Sequence, residues 1–474
     1  MIGMISPPTR FTRSVVGDGF ARQNRFRVQR AVRGRRVRSI VRSSIAHEID
    51  GSVVKVRPTN PRFATALTID GGGVRGLIPA AVLEVVEKAI IDHIKENDLL
   101  PEEAKGKKIE VDLADYFNCI SGTSVGSIVA LYLASKGGDC AKLFEEYGWD
   151  DIRCGSVEGI VKLIEKRAED VFPPPWYQNI PLVGDLLGYL LLIFFPKFSA
   201  TGVEKVLQDA FGEMTLKDAK TGLLVPTFEI TKNQAFSFWS SSDGTGYAAV
   251  KTRAEPKTAA TASKASKKPE EIVIVPGEDE AVKWDPDIEF VGGHDYKLWQ
   301  VARASSAAPT FFPSSSFSPV GGGAEKTFID GGVVANNPTM QSVAFIETKV
   351  GRLENLAVLS LGTGHAQPKT AGLDNAGAFG WVIKGNLISI LMDGSSEYLQ
   401  SLVDLMYYKV KGLPPGQYVR ISTCVDQGNK DTEVLSEMDN PENAERLVEI
   451  GGELGATYEE PIKEFVEKFM FAEA

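Results

Sequence analysis

Apolar residues in this chain fall in short runs that alternate with longer stretches at helical spacing. Residues 63–69 form a short apolar run containing β-branched residues and predict a buried strand. After a glycine turn, Ala80-Ala81-Val82-Leu83 opens a helix that continues to about Lys95. Pro79 falls in its first turn, where a missing N–H costs little. Residues 113–120 predict a second strand. Residues 125–136 predict a helix so uniformly apolar that it should be buried against a sheet. Further strands are expected at 228–231, 272–275, 327–329 and 356–361, and helices over 340–349, 386–408 and 443–470. No internal repeat is visible. Strands alternating with helices predict an α/β fold with a mostly parallel sheet covered on both faces.

Two stretches break the pattern. In the first, Pro173-Pro174-Pro175-Trp176-Tyr177 leads to a run of about ten apolar residues ending at Phe195, too short to span a bilayer. This 171–195 segment reads either as a buried helix pair or as a lipid-facing lid with Trp176 and Tyr177 at the interface. The second, 251–271, is rich in Ala, Lys, Thr and Ser and reads as a disordered surface insertion.

Composition adds little to this picture, and charge adds more. The 474 residues are 43% apolar and 24% charged, ordinary for a globular protein with a full core. Cys119, Cys140, Cys154 and Cys424 show no C-x-x-C spacing and read as reduced thiols, neither a disulfide framework nor a zinc site. The only N-x-[ST] run, Asn337-Pro338-Thr339, is blocked by proline, so secretion is not supported. The net charge of −10 hides an asymmetry: residues 1–45 hold eleven arginines, no lysine and one acid. That arm is Arg-rich, Ser-containing and acid-poor, like an organelle transit peptide; its uncharged first nine residues favour a plastid. A disordered basic arm that binds nucleic acid or anionic lipid is the alternative, and so is a mis-assigned start. The body that follows is strongly acidic, so its main domain is not expected to bind nucleic acid.

The chemistry concentrates at two turns. Leu67-Thr68-Ile69 runs into Asp70-Gly71-Gly72-Gly73-Val74-Arg75-Gly76. About fifty residues later, Ile120-Ser121 runs into Gly122-Thr123-Ser124-Val125-Gly126. The first turn offers backbone N–H donors to a negative charge. The second presents a serine on a sharp turn at a helix N-terminus. Together they describe a nucleophile and an oxyanion hole for acyl transfer. The glycine turn also satisfies G-x-G-x-x-G, but a dinucleotide site needs a second strand ending in an acid, and a polar helix end lies there instead.

A serine needs a base within reach. Of the four histidines, His47, His93 and His294 are poorly placed for this, while His365 follows a strand in a Gly-Thr-Gly-His loop. The other candidate is Asp330, at a strand end in Phe328-Ile329-Asp330-Gly331-Gly332. Strand ends of α/β sheets gather at one edge, and desolvation can raise a carboxylate into the range of a useful base. A Ser124–Asp330 dyad and a Ser124–Asp330–His365 triad both fit. So does a non-catalytic lipid-binding or storage protein that keeps the fold.

Four blocks resemble the patatin-like phospholipases: 70–76, 122–126, the run Ala304-Ser305-Ser306-Ala307-Ala308-Pro309-Thr310-Phe311-Phe312, and 330–338. The likeness is strongest to plant-type patatins, with Leu359-Ser360-Leu361-Gly362-Thr363-Gly364 as a fifth block, and spans about residues 63–365 in order. The resemblance implies a three-layer α/β/α sandwich that cleaves acyl esters of membrane lipids with a Ser–Asp dyad. It makes Ser124 the nucleophile, Asp330 the base, and Gly71, Gly72 and Gly73 the oxyanion hole, with Val125 a possible further donor. Arg75 falls on an arginine thought to shape that turn. No metal and no organic cofactor are implied, nor any oligomeric state. Ser127 departs from the pattern, where another glycine is usual. On this reading 62–365 is the catalytic domain and 366–474 a mostly helical part of the same unit.

Overall fold

The apolar run before the glycine turn is a strand, Ala64–Ile69 (β3), buried at every residue after the first. In this computed structural model the described residues are 45–472 except 59–60, 138–139, 150, 175–193, 241–246, 252–289, 293–294, 351, 368–374, 376, 378–379 and 382–386. They belong to one compact unit, Ser44–Ala474.

Five strands lie side by side and parallel, in the order β14 (Tyr418–Ile421), β12 (Leu356–Leu361), β3, β5 (Cys119–Gly122) and β6 (Gly222–Glu229). Beyond β6 the sheet continues antiparallel through β7 (Gln234–Ser240), β8 (Tyr247–Lys251) and β9 (Phe290–Gly292). β5 spans only four residues and pairs with the first part of β6. The far part of β6 is taken by β11 (Lys326–Asp330), which runs antiparallel to it and sets Asp330 opposite Thr227. β10 (Ser315–Phe317) pairs with the outer side of β11. A separate small sheet joins β1 (Ile45–Asp50), β2 (Val53–Pro58) and β4 (Lys108–Glu110).

Alternation along the strands builds the three layers. Leu67, Ile69, Ile120, Leu223 and Leu359 point into one core with residues of α1 (Leu77–Glu96), α2 (Val125–Ala134), α4 (Val157–Val171), α5 (Ala200–Phe211) and α6 (Leu298–Ser305). Their neighbours Ala66, Cys119, Leu224 and Val358 point the other way, onto Val343 and Ile346 of α8 (Thr339–Val350) and Val403 of α9 (Leu387–Asp404). The period of two therefore divides each strand between two helical layers. The fold is a three-layer α/β/α sandwich with a mostly parallel central sheet.

Several boundaries differ from the sequence expectation. Residues 113–120 are not one strand: Leu113–Asp115 is a 3₁₀ turn and only Cys119 onward joins the sheet. Turn bonds from Asp115 N–H to Asp112 O and from Phe117 N–H to Leu113 O satisfy that backbone locally. The strand expected at 228–231 is the tail of the longer β6, and the helix expected over 443–470 breaks at Tyr458. The strand at 272–275, the 252–271 part of the insertion and residues 175–193 lie outside the described residues.

The cysteine expectation needs correction. Cys140, just before α3 (Ala141–Glu146), is disulfide-bonded to Cys154, with Cα atoms 6.1 Å apart. The chain leaves α2 and doubles back so closely that a Cβ on Gly137 would lie 2.1 Å from the Gly155 nitrogen. That closure brings two thiols fourteen residues apart within bridging distance, which spacing alone does not reveal. Cys119 and Cys424 are free.

Candidate active site

β5 ends at Gly122 and α2 begins at Val125, so the turn between them has two residues. Ser124 occupies it with φ +53° and ψ −124°, a conformation that costs a non-glycine residue about 1–3 kcal/mol. The flanking glycines are a steric requirement of the same turn. A Cβ on Gly122 would lie 1.9 Å from the Gly126 carbonyl oxygen, and one on Gly126 would lie 2.4 Å from that of Ile69. Ser127 fits where another glycine was expected: its hydroxyl donates to the Ser124 carbonyl at 2.6 Å. Ser305 holds the elbow from α6, accepting the Ser124 N–H at 3.0 Å and donating to the Pro226 carbonyl at 2.7 Å.

The glycine turn lies beside this serine. A Cβ on Gly71 would stand 3.1 Å from that of Ser124. Gly73 has φ +59°, and a Cβ there would come 2.0 Å from the Met438 carbonyl oxygen, so only glycine fits. The N–H groups of Gly72, Gly73 and Val125 donate to no protein group among the described residues. Gly71 differs: its N–H is committed to the Asn336 carbonyl at 3.1 Å. Gly71 therefore shapes the turn while the next two amides remain open.

Asp330 ends β11 beside Ser124, both facing one cleft. Its Oδ1 accepts the Gly332 N–H, at the start of α7 (Gly332–Ala335), at 2.6 Å. Its Oδ2 is buried without a hydrogen bond of ordinary geometry, and the Ser124 hydroxyl lies against the carboxylate. Burial pushes the Asp330 pKa up to about 7, while the Gly332 N–H, Ser124 and the Arg303 guanidinium pull it back.

The cleft has a volume of about 100 Å³ and an almost wholly apolar wall. Leu163, Ile164 and Ala168 of α4 face Val203, Leu207 and Ala210 of α5 across it. Phe172, Phe311 and Phe312 close one side. The backbone ties Lys197 to Thr310 and Phe198 to Phe311, at 2.8 Å each, so the chain leaving the 175–193 stretch is fastened to this rim.

Arg75 is buried, not a surface residue. It donates to the Leu435 carbonyl, in α10 (Thr432–Ser436), at 2.8 Å, reaches towards the Gly72 carbonyl at 3.5 Å, and faces Asp393 at 3.7 Å. His365 lies in a different place. It starts β13 (His365–Ala366), sits 3.3 Å from Glu397, and lines a polar cavity with Asp70, Asp393 and Arg420. It does not line the cleft that Ser124 and Asp330 share. His47 and His93 are also remote from that cleft, and His294 lies outside the described residues. Among the described residues no cluster of His, Cys, Asp and Glu is arranged to hold a metal ion.

The patatin-like phospholipase family model matches residues 67–343, which include the glycine turn, Ser124 and Asp330. The chain belongs to the patatin-like phospholipase family. Similar relatives include patatin-like protein 3 of Arabidopsis thaliana, 27% identical over 86% of this chain and 84% of its own length. Patatin-like protein 2 of Oryza sativa subsp. indica is 24% identical over 70% of each chain. A further Arabidopsis thaliana relative, 23% identical over 72% of this chain and 71% of its own, is named "Probable inactive patatin-like protein 9". Family membership supports a lipid acyl hydrolase with a lipid substrate.

Sequence reasoning missed three contributors. Ser305 was within reach, since it lies in the Ala304–Phe312 block, but nothing marked it as the partner of the Ser124 amide. Arg420 and Met438, which touch the glycine turn from the C-terminal part of the chain, carry no local signal.

Proposed function

We propose that this protein cleaves ester-linked fatty acids from membrane glycerolipids, phospholipid or galactolipid, through Ser124 and Asp330. The observation that carries this reading is the buried Asp330 carboxylate against the Ser124 hydroxyl, at the mouth of an apolar cleft. Ser124 Oγ attacks the ester carbonyl as Asp330 takes its proton. The oxyanion is held by the N–H groups of Gly72, Gly73 and Val125, each such donor being worth about 2.7–4 kcal/mol in the transition state. Asp330 then passes the proton to the departing alcohol. A water that loses its proton to Asp330 breaks the acyl-enzyme, and the fatty acid leaves. The acyl chain lies between α4 and α5, where a polar chain would be poorly solvated. A pKa near 7 suits a base that must accept and return a proton near neutrality.

Phe194 and Phe195, 77% and 64% exposed, support peripheral contact with a lipid surface at the end of the 171–195 segment. The arginine-rich residues 1–45 support import into a plastid, to be tested by fusing them ahead of a fluorescent protein. Diffuse cytosolic or nuclear signal would contradict it.

A fluorophosphonate probe tests the nucleophile. It should label the protein at Ser124, and Ser124→Ala should abolish both the adduct and lipid hydrolysis. Labelling that survives the substitution would sink the assignment. A folded wild-type protein that neither labels nor releases fatty acid would favour the non-catalytic reading.

A further inference from the structure

Several groups grip the turn from Asp70 to Arg75, and three of them, from Arg420, Leu435 and Met438, come from the chain beyond residue 400. The Leu435 carbonyl accepts from Arg75, and the Met438 carbonyl accepts the Val74 N–H at 2.8 Å. Thr363 and Asn336 donate to the Gly71 carbonyl at 2.8 and 3.3 Å. Arg420, on the edge strand β14, makes the strongest contact: a two-pronged pair with Asp70, NH1 to Oδ1 at 2.8 Å and NH2 to Oδ2 at 2.5 Å. Its NH1 also reaches Ser360 Oγ on β12 at 2.9 Å, so the guanidinium spans two strands to meet the acid at the end of the third. The Asp70 side chain is buried, 4% exposed, and that of Arg420 is 9% exposed. A Cβ on Gly362 would lie 2.8 Å from Arg420 NH2, so the backbone between them is thinned to let the guanidinium through.

We infer that Arg420 is a positioning residue for the oxyanion turn, acting through Asp70 to aim the Gly72 and Gly73 amides. The inference rests on the hydrolase reading above. Asp70 is the last residue before the three glycines, and a glycine run has little of its own to hold a direction. A planar fork fixes the carboxylate in orientation as well as in place, which a point charge cannot do. Oxyanion donors act only when held within about 0.5 Å of the productive geometry. Arg420 touches neither the cleft nor Asp330, so its effect should fall on turnover and not on substrate capture. It lies outside the segment matched by the family model, so that segment lacks this anchor.

The test is steady-state hydrolysis of a short-chain nitrophenyl ester by Arg420→Met and Arg420→Lys, with amide hydrogen exchange across residues 70–76. Arg420→Met should lower kcat about 100-fold, the loss typical of one oxyanion donor, with KM within about threefold of wild type. The pH midpoint of the acid limb should not move, because Asp330 is untouched. Arg420→Lys restores the charge without the fork and should recover part of kcat. The Gly71 and Val74 amides, which flank the oxyanion donors and are bonded to the Asn336 and Met438 carbonyls, should exchange faster in both. Should Arg420→Met fail to fold, Asp70→Asn with Arg420→Gln removes both buried charges together and should show the same kcat loss. Variants whose kcat stays within about threefold of wild type overturn the role. So does a loss in which KM rises in step with a general fall in melting temperature. A wild-type protein that takes no probe at Ser124 overturns the hydrolase reading itself, whereas a labelled wild type with unaffected variants overturns only the role of Arg420.

Discussion

Asp330 sits opposite Thr227, on the stretch of β6 that lies beyond the end of the strand leading to Ser124. Because β5 stops at Gly122, the next place along β6 is open to an antiparallel strand. β11 enters it and carries its last residue to the serine. Ser124 therefore follows a parallel strand and Asp330 ends an antiparallel one. Asp330 thus reaches the sheet edge at which β5 ends, on a strand that runs antiparallel to its neighbour β6.

The buried carboxylate predicts opposite pH responses for activity and stability. The base is the ionised form, so turnover should rise with pH through about 7 and level off above it. Burial raises the folded-state pKa above the unfolded value of about 3.9, so folding favours the proton. Stability from this group is full at low pH and is lost as pH rises from about 4 through 7. Asp330→Asn should remove nearly all turnover and yet melt higher than wild type at pH 8, by at most about 4 kcal/mol. The difference should vanish below pH 4. Melting curves of both proteins at pH 4 and 8 check this, and a variant less stable at pH 8 would contradict it.

His365 should be dispensable for chemistry. It faces Glu397 in the polar cavity beside Asp70, not the apolar cleft that Ser124 and Asp330 line. His365→Ala should keep kcat within about threefold, against a loss of 10² or more for Asp330→Asn. Equal inactivation of two well-folded variants would favour the triad.

Filling the cleft should select against long acyl chains. Ala210 lies on its α5 wall and is almost fully buried. Ala210→Phe should reduce hydrolysis of long-chain lipid by tenfold or more, the order of discrimination an apolar pocket gives per one or two methylenes. An acetyl ester should be spared. A uniform loss across chain lengths would mean that the cleft does not hold the acyl group.

The Cys140–Cys154 bridge predicts thiol accessibility. Alkylation of the unfolded, unreduced protein should tag Cys119 and Cys424 only. Cys154→Ser should cost up to about 3 kcal/mol, the value for a loop of about fifteen residues. Four tagged cysteines before reduction would contradict the bridge.

What the sequence determined alone is whatever a few adjacent residues enforce on one another. Gly122, Ser124 and Gly126 must occur together because a strained serine brings two backbones within contact distance, and that demand acts over five residues. The alternation Ala66, Leu67, Ile69 likewise assigns each side chain to its layer through local geometry. The choice between Asp330 and His365 has no such local origin. Both follow strands and both adjoin glycines, Gly331-Gly332 after Asp330 and Gly362-Thr363-Gly364 before His365, so pattern leaves them equal. The tertiary structure separates them, because β5 is short enough to admit β11 beside the serine, while β13 turns His365 towards Glu397. The Arg420–Asp70 pair, 350 residues apart, and the Cys140–Cys154 bridge arise in the same way. Each depends on where the chain returns, and that is set by the packing of the whole sheet and its helices.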